Sequence, residues 1–368
     1  MPASETQPQN TEMIPLYGHR DVLHDIRLRF EQNRLHHGLL ISGQSGIGKS
    51  RLAIQLAGWI LSQRPDNTAL FDEISEKSSD IWALSPETED FRLVCQQAHP
   101  DLICVSSEQS AQNKSGQIKA EQIRGLSHFM AHSTSRGGWR VAIIDSLDDV
   151  NIHAANAMLK LLEEPPARTV LILLSSTPGR VIPTILSRCF HIKLGGLDMA
   201  DSQSVLRHLW PDADDDYLNS HALLCDGVPG QAVTLSESGC FELFIESCAY
   251  IHAPQRDHTQ MMMLAEKWGA AGRHAASLRQ SAVFLFDRLL SQSALMALSP
   301  TLTNSPFLQL DPVRRAAESL AGRLTPTMLS TLHTRFIEMM DKSERLYLDP
   351  KPFLSEFFAE LHSQNTPR

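Results

Sequence analysis

The run Gly43-Gln44-Ser45-Gly46-Ile47-Gly48-Lys49-Ser50 limits what this chain can fold into more than any other feature. A glycine, four residues and then Gly-Lys-Ser is the spacing of a phosphate-binding loop, and such a loop works only between a buried strand and the start of a helix. Both flanks are present. His37-Gly-Leu-Leu-Ile-Ser-Gly43 is a short apolar run ending in glycine, and Leu52, Ile54, Leu56, Ala57 and Ile60 form a periodic segment that suits a helix. In a loop of this kind Gly43, Gly46 and Gly48 leave backbone amides free to wrap a phosphate. Lys49 reaches the outer phosphates, and Ser50 offers a hydroxyl to magnesium.

A strand, a glycine turn and a helix at this position predict more of the same downstream. Asp101-Leu-Ile-Cys-Val105, Arg140-Val-Ala-Ile-Ile-Asp145 and Val170-Leu-Ile-Leu-Leu-Ser-Ser176 are strand-like, the last two apolar almost throughout, as parallel strands covered on both faces are. Helical spacing returns at Ile118, Ile123, Leu126 and Phe129, and again at Ala154, Met158, Leu161 and Leu162 before Pro165-Pro166 stops it. The stretch from Ser62 to Gln97 reads as a polar insertion and Ser106 to Gly116 as a loop. The expected architecture is an α/β domain with a parallel sheet over residues 14–196, preceded by a disordered tail at 1–13. Beyond Gly195-Gly196 only amphipathic helical patterns remain, predicting a small helical unit at 197–236, a longer helical domain at 237–362 and a tail at 363–368.

Charge and composition narrow the function classes. A net charge of −9 argues against broad electrostatic gripping of DNA by this chain alone, because nonspecific affinity for DNA comes from many Lys and Arg neutralising phosphates. The six cysteines contain no CxxC pair, so reduced, partly buried thiols are expected rather than a zinc ribbon or a redox dithiol. No run approaches the roughly 18–20 apolar residues of a membrane span, and the N-terminus is polar where a signal peptide is apolar. No membrane association and a cytoplasmic location are the expectation.

Asp145 ends an apolar strand about a hundred residues after the loop, where phosphate-loop proteins keep the acid that holds magnesium, usually through water. Ser146 follows it at the position where many ATPases of this kind place a water-polarising glutamate. A serine cannot serve as that base, so hydrolysis should be slow or absent.

Ala154-Ala-Asn-Ala-Met-Leu-Lys-Leu-Leu-Glu-Glu-Pro-Pro166, Ser175-Ser176-Thr177-Pro178 and Ile185-Leu-Ser187-Arg188-Cys189 then follow in order. The series resembles the successive signatures of the clamp-loader branch of the AAA+ ATPases over roughly residues 14–195. Beyond 195 it rests on helical character and a few residues such as Leu346-Tyr-Leu-Asp349. The resemblance implies that Arg188 is a catalytic arginine finger acting in trans on the ATP of an adjacent subunit, a role suited to a permanently charged planar fork of donors. It implies a sensor role for Ser176 toward the γ-phosphate, and nucleotide binding with magnesium through Ser50 and Asp145. The helical parts become a lid and an oligomerisation collar. Gly230, in Gly227-Val-Pro-Gly230, stands where motor subunits carry a second sensor arginine. Together with Ser146 this points to the delta prime branch, although many delta prime relatives have a broken phosphate loop and this one is intact. The implied partners are the gamma or tau and delta clamp-loader subunits and, through the complex, the sliding clamp and primer-template DNA. The implied enzymatic character is membership of a DNA polymerase holoenzyme, with weak or no ATPase activity of the chain's own.

Two rival readings remain at the level of sequence. One is a gamma or tau type motor, with Lys49, Ser50, Asp145 and Ser176 hydrolysing ATP in the chain's own site. The other is a stand-alone phosphate-loop kinase or nucleotide switch without ring partners. No zinc is expected, since the interval where relatives carry a zinc module supplies only Cys95 before His99-Pro100-Asp101. Asp145-Ser-Leu-Asp148-Asp149 lacks the glycine and terminal glutamate of a calcium loop and reads as a solvated turn. Arg136, Arg140, Lys160, Arg168 and Arg180 read as scattered surface charge. Met261-Met-Met-Leu264, Phe284, Phe286, Phe357 and Phe358 read as helix packing.

Overall fold

The structure, a computed structural model, describes residues 16–63, 89–106, 117–135, 137–255, 257–272, 275–299 and 305–362. The expected N-terminal and C-terminal tails, most of the polar insertion, the loop after Ser106, and Arg136 lie outside the described residues. The chain separates into two compact units, one ending at Leu197 and the other starting at Asp198.

In the first unit α1 (Arg20–Glu31) leads to β1 (Gly38–Ser42), every residue of which is buried. The phosphate-loop segment connects β1 to α2 (Lys49–Ser62), which buries Leu52, Ala53, Leu56, Ala57, Ile60 and Leu61. Then come α3 (Glu89–Cys95), β2 (Leu102–Ser106), α4 (Ala120–Ala131), β3 (Arg140–Asp145), α5 (Ile152–Glu163), β4 (Thr169–Ser175), α6 (Pro183–Leu186) and β5 (Phe190–Lys193). The strands form one parallel sheet in the order β2-β3-β4-β1-β5. Uninterrupted burial along β1 and β4 follows from their central places in that order. Leu40, Ala142, Ile144, Leu171 and Leu173 meet Met158 and Leu162 of α5 and Ile123 and Leu126 of α4 in one core. Asn151 starts α5 by accepting a hydrogen bond from the Ala154 amide, the cap expected of an Asn at that position.

The expected α/β sheet is present, with two additions. β5 is short and buries chiefly Ile192, so it gives no apolar run, and α3 anchors through Phe91 and Val94 alone. One expectation is corrected. Arg140 is not surface charge but is 5% exposed, donating to the Phe129 and Ser133 carbonyls and lying 3.6 Å from Asp101, itself 2% exposed. Its carboxylate partner sits at the start of the neighbouring strand. Thus parallel pairing of β2 and β3 creates an ion pair between residues far apart in sequence.

The second unit is helical. α7 (Met199–Leu209), α8 (Asp215–Cys225) and α9 (Pro229–Ser238) enclose a small core of Leu206, Leu218, Ala222, Cys225 and Ala232. Asp198 and Asp214 cap α7 and α8 through the Asp201 and Tyr217 amides. α10 (Cys240–His252), α11 (His258–Trp268), α12 (Ala275–Leu298), α13 (Asp311–Arg323), α14 (Pro326–Arg345) and α15 (Lys351–Leu361) build the larger core. At its centre Phe286 meets the rings of Phe244, Trp268, Phe336, Phe357 and Phe358 at centroid separations of 5.3–5.7 Å. Against the expectation that no run reaches membrane length, α12 is long and apolar enough to cross a bilayer by length and composition. Its Leu278, Ala282, Leu285, Phe286, Leu289 and Leu290 are buried in this core, so packing accounts for its apolar character.

Burial also governs the thiols. Cys104 and Cys225 are pushed up to about 11 and Cys189 to about 12, in each case chiefly by desolvation, so they stay protonated at neutral pH.

Candidate nucleotide site and arginine edge

Parallel strands bring their C-terminal ends to one edge of the sheet, and side chains placed there from different strands become neighbours. Because β4 lies between β1 and β3, the loop after Ser42, the carboxylate of Asp145 and the segment after Ser175 meet at that edge. Gly46 and Gly48 have φ of 85° and 99°, a left-handed conformation that disfavours any side chain. A Cβ on Gly43 would meet the Leu194 carbonyl at 3.0 Å. Gly48 is also the N-cap of α2 and offers no side-chain cap, so the first-turn amides of that helix have no side-chain acceptor at that position.

Lys49 is 8% exposed. Its Nζ donates to the carbonyls of Gly43 and Gln44 and to Oγ of Ser176, each at 2.9 Å. The ammonium therefore folds over the loop and ties β1 to the end of β4. Burial pulls its pKa below the ordinary lysine value, with the charges of Asp145 and Asp148 opposing. Ser50 donates from Oγ to Asp145 Oδ2 at 2.5 Å. One hydroxyl and one carboxylate thus converge where a hard divalent ion would take oxygen ligands.

The structure corrects one expectation and adds two residues. The Asp145 to Asp149 segment is not a solvated turn: Leu147–Asp149 is a short 3-10 turn capped by Ser146, whose Oγ accepts from the Asp148 amide at 3.0 Å. The serine in the glutamate position is used as a cap. Asp148 reaches across to β4, accepting from Ser175 Oγ at 2.7 Å, the Ser176 amide at 2.6 Å and the Thr177 amide at 3.3 Å. Burial alone would raise its pKa. The bonds from Ser175, Ser176, Thr177 and Ser146 outweigh that and hold it below the usual carboxylate range. Spacing gives no hint of this, since Asp148 meets its partners only after β3 and β4 pair. His19 is a further neighbour unflagged by pattern, its Nε2 lying 3.5 Å from the Ile47 carbonyl in the loop.

Arg188 lies apart from this cluster. It follows α6 and precedes β5, and a Cβ on Gly38 at the start of β1 would be 3.3 Å from its carbonyl oxygen. The five residues of β1 separate Gly38 from the loop, about 17 Å at ~3.3 Å per residue. Its side chain is 37% exposed, paired with Glu163 at 2.9 Å and donating to the Thr184 carbonyl at 3.1 Å. Glu163 ends α5, in the Glu-Glu-Pro-Pro run, so the same proline stop that terminates the helix sets the carboxylate beside the arginine.

The sequence profile of the family described as DNA polymerase III, delta subunit, matches residues 18–198. The DNA polymerase III subunit delta' of Pseudomonas aeruginosa is 30% identical over 234 residues, covering 64% of this chain and 66% of the relative. The DNA polymerase III subunit tau of Salmonella typhimurium is 29% identical over 207 residues, covering 56% of this chain and 29% of the relative. The chain therefore spans just under two thirds of the first relative's length and under a third of the second's. A gamma subunit-related protein from Thermotoga maritima, known by crystal structure, is 16% identical with a TM-score of 0.41, covering 92% of this chain and 98% of that one.

Proposed function

Because the chain belongs to the delta' family of DNA polymerase III clamp-loader subunits, we propose that it is the stator of such an assembly, a subunit whose Arg188 completes the ATP site of a neighbouring motor subunit. The observation carrying this reading is the placement of Arg188. A half-exposed guanidinium sits at the edge of the sheet opposite the chain's own phosphate loop, separated from it by the length of β1, which supports a phosphate partner on another chain. Its planar donors match phosphate oxygens, and such fingers accelerate turnover by roughly 10³–10⁵ in other nucleotide-hydrolysing systems. The neighbours would be gamma or tau and delta subunits. Together they would place the sliding clamp on primer-template DNA in the cytoplasm, through a lid at 197–236 and a collar at 237–362.

The chain's own loop supports nucleotide binding without efficient hydrolysis. Gly43, Gly46, Gly48 and Lys49 would hold the phosphates of ATP, and Ser50 and Asp145 would hold magnesium, which when bound neutralises phosphate charge. Ser176 would sense the γ-phosphate from its place on Lys49. Ser146 holds the backbone of the next turn and has no carboxylate to polarise water, and Gly230 supplies no guanidinium. The intact loop favours one alternative, a motor that hydrolyses its own ATP; turnover by the isolated chain that Lys49→Ala abolishes would establish it.

The test is reconstitution with gamma or tau, delta and the clamp. Arg188→Ala should leave assembly intact while abolishing turnover at the adjacent site and impairing clamp loading. Full ATPase and loading by the Arg188→Ala complex would reject the stator reading.

A further inference from the structure

Asp148 carries no role in any of the motifs, yet it makes the densest set of polar contacts at the sheet edge. Its carboxylate accepts from one hydroxyl and two consecutive amides of Ser175, Ser176 and Thr177, while its own amide is held by the Ser146 cap. The three acceptances fix the chain direction as β4 ends. That direction decides where the next side chain points, and the Ser176 hydroxyl is the one that takes a hydrogen bond from Lys49 at 2.9 Å. From this geometry we infer that Asp148 is a positioning residue: it clamps the end of β4 so that the Ser176 hydroxyl is presented to the Lys49 ammonium, and this presentation gives the site its discrimination between nucleoside triphosphate and diphosphate.

Several features support the assignment over a purely structural turn. A carboxylate that accepts several hydrogen bonds is a stiff anchor, because each bond is charge-assisted. The anchor belongs to the segment directly after Asp145, so the residue that would hold the metal, at the end of β3, and the residue that places the sensor, in the capped turn that follows, are three positions apart. Asp148 and Asp145 also share Lys49 electrostatically, and burial lowers the pKa of that lysine against both charges. Loss of the carboxylate would therefore remove one of two counter-charges as well as the clamp.

The inference rests on the nucleotide-binding reading above, and the test separates the two. Wild type, Asp148→Asn, Asp148→Ala, Ser176→Ala and Lys49→Ala chains are titrated with fluorescent ADP and competed with ATPγS and ADP in magnesium. Amide hydrogen exchange over residues 173–178 is followed without nucleotide. Asp148→Ala should speed exchange at Ser176 and Thr177 and compress the ratio of ATPγS to ADP affinity by about tenfold, the scale of one charge-assisted hydrogen bond. Ser176→Ala should compress the ratio equally without speeding exchange, and Asp148→Asn should fall between wild type and Asp148→Ala. ADP affinity itself should change less than threefold in all three. An unchanged ratio in Asp148→Ala, with wild-type ADP affinity, overturns the positioning role and leaves nucleotide binding intact. A ratio compressed in Asp148→Ala but not in Ser176→Ala also overturns it, since the effect would then not pass through the sensor hydroxyl. Wild type binding neither nucleotide overturns both readings.

Discussion

The Glu163–Arg188 pair sets up a competition that can be measured. A carboxylate 2.9 Å from the guanidinium offers the arginine an anionic partner within its own subunit, and in the proposed stator a neighbour's phosphate would have to displace or share it. Two unit charges about 4 Å apart in water attract by about 1 kcal/mol, and exposed pairs contribute ~0–1 kcal/mol in practice. With side-chain exposures of 37% and 49%, this pair belongs at that end of the scale. Glu163→Gln should therefore raise the apparent ATP affinity of the adjacent site by no more than about fivefold. Hydrogen bonds from Arg188 to Thr184 and Ser187 persist and keep the side chain near its place. The gain should be visible at ~0.05 M salt and nearly gone at ~0.5 M, where screening lengths shrink below the size of the site. The assay is steady-state ATPase of the reconstituted complex at several ATP concentrations, resolved into KM and kcat. A fall in kcat approaching that of Arg188→Ala would refute the competition and make Glu163 an obligatory support of the finger.

Three further outcomes follow from the packing. Phe286→Ala removes the ring on which five other aromatic rings converge, and should destabilise the helical unit by about 3–5 kcal/mol, read as a lower urea midpoint with an unchanged slope. Asp101→Ala leaves the Arg140 charge buried without its acid and should cost about 3–5 kcal/mol, whereas a surface arginine would be nearly indifferent. His221 and His37 have pKa values held below the ordinary 6.5, burial being the main cause in both, with hydrogen bonds to the Tyr217 and Leu162 carbonyls partly opposing it. Their contribution to stability is complete above that value and is lost as pH falls toward and through the folded pKa. Urea denaturation should show lower stability at pH 5.5 than at pH 7.5, and His221→Phe should reduce the difference.

The sequence made the sheet legible where burial is continuous: β1, β3 and β4 carry unbroken apolar runs at residues 39–41, 141–144 and 170–174, as parallel strands covered on both faces do. It hid β5, whose half-exposed Phe190-His-Ile-Lys193 has no such pattern, and α3, which is only seven residues long. In the candidate site, residues joined by local spacing were visible, since Gly43 to Ser50 is one uninterrupted loop. Asp148, Glu163 and the burial of Arg140 were not, because each depends on a partner brought near by strand pairing or by the end of a helix. A charged residue's sequence neighbours say little about whether it is solvated. Arg140 and Arg188 look alike in the sequence, yet one is 5% exposed and the other meets solvent.

The two edges of a parallel sheet differ chemically, and this chain places charged groups at both. At the C-terminal edge, loops from β1, β3 and β4 gather amides, an ammonium and carboxylates, the groups that would hold a phosphate and a metal in the proposed function. The opposite edge collects helix C-termini and strand starts, where α5 ends on Glu163 and the chain from α6 turns into β5 through Arg188. A guanidinium there cannot serve the loop of its own sheet, because the strand that carries the loop also holds the two apart. Mutation of Arg188 and mutation of Lys49 should therefore be separable: the first acts on a neighbour's turnover with this chain's nucleotide affinity unchanged, the second on this chain's nucleotide affinity alone. In the proposed assembly that separation is required, since each chain would face one phosphate site with its loop and another with its arginine.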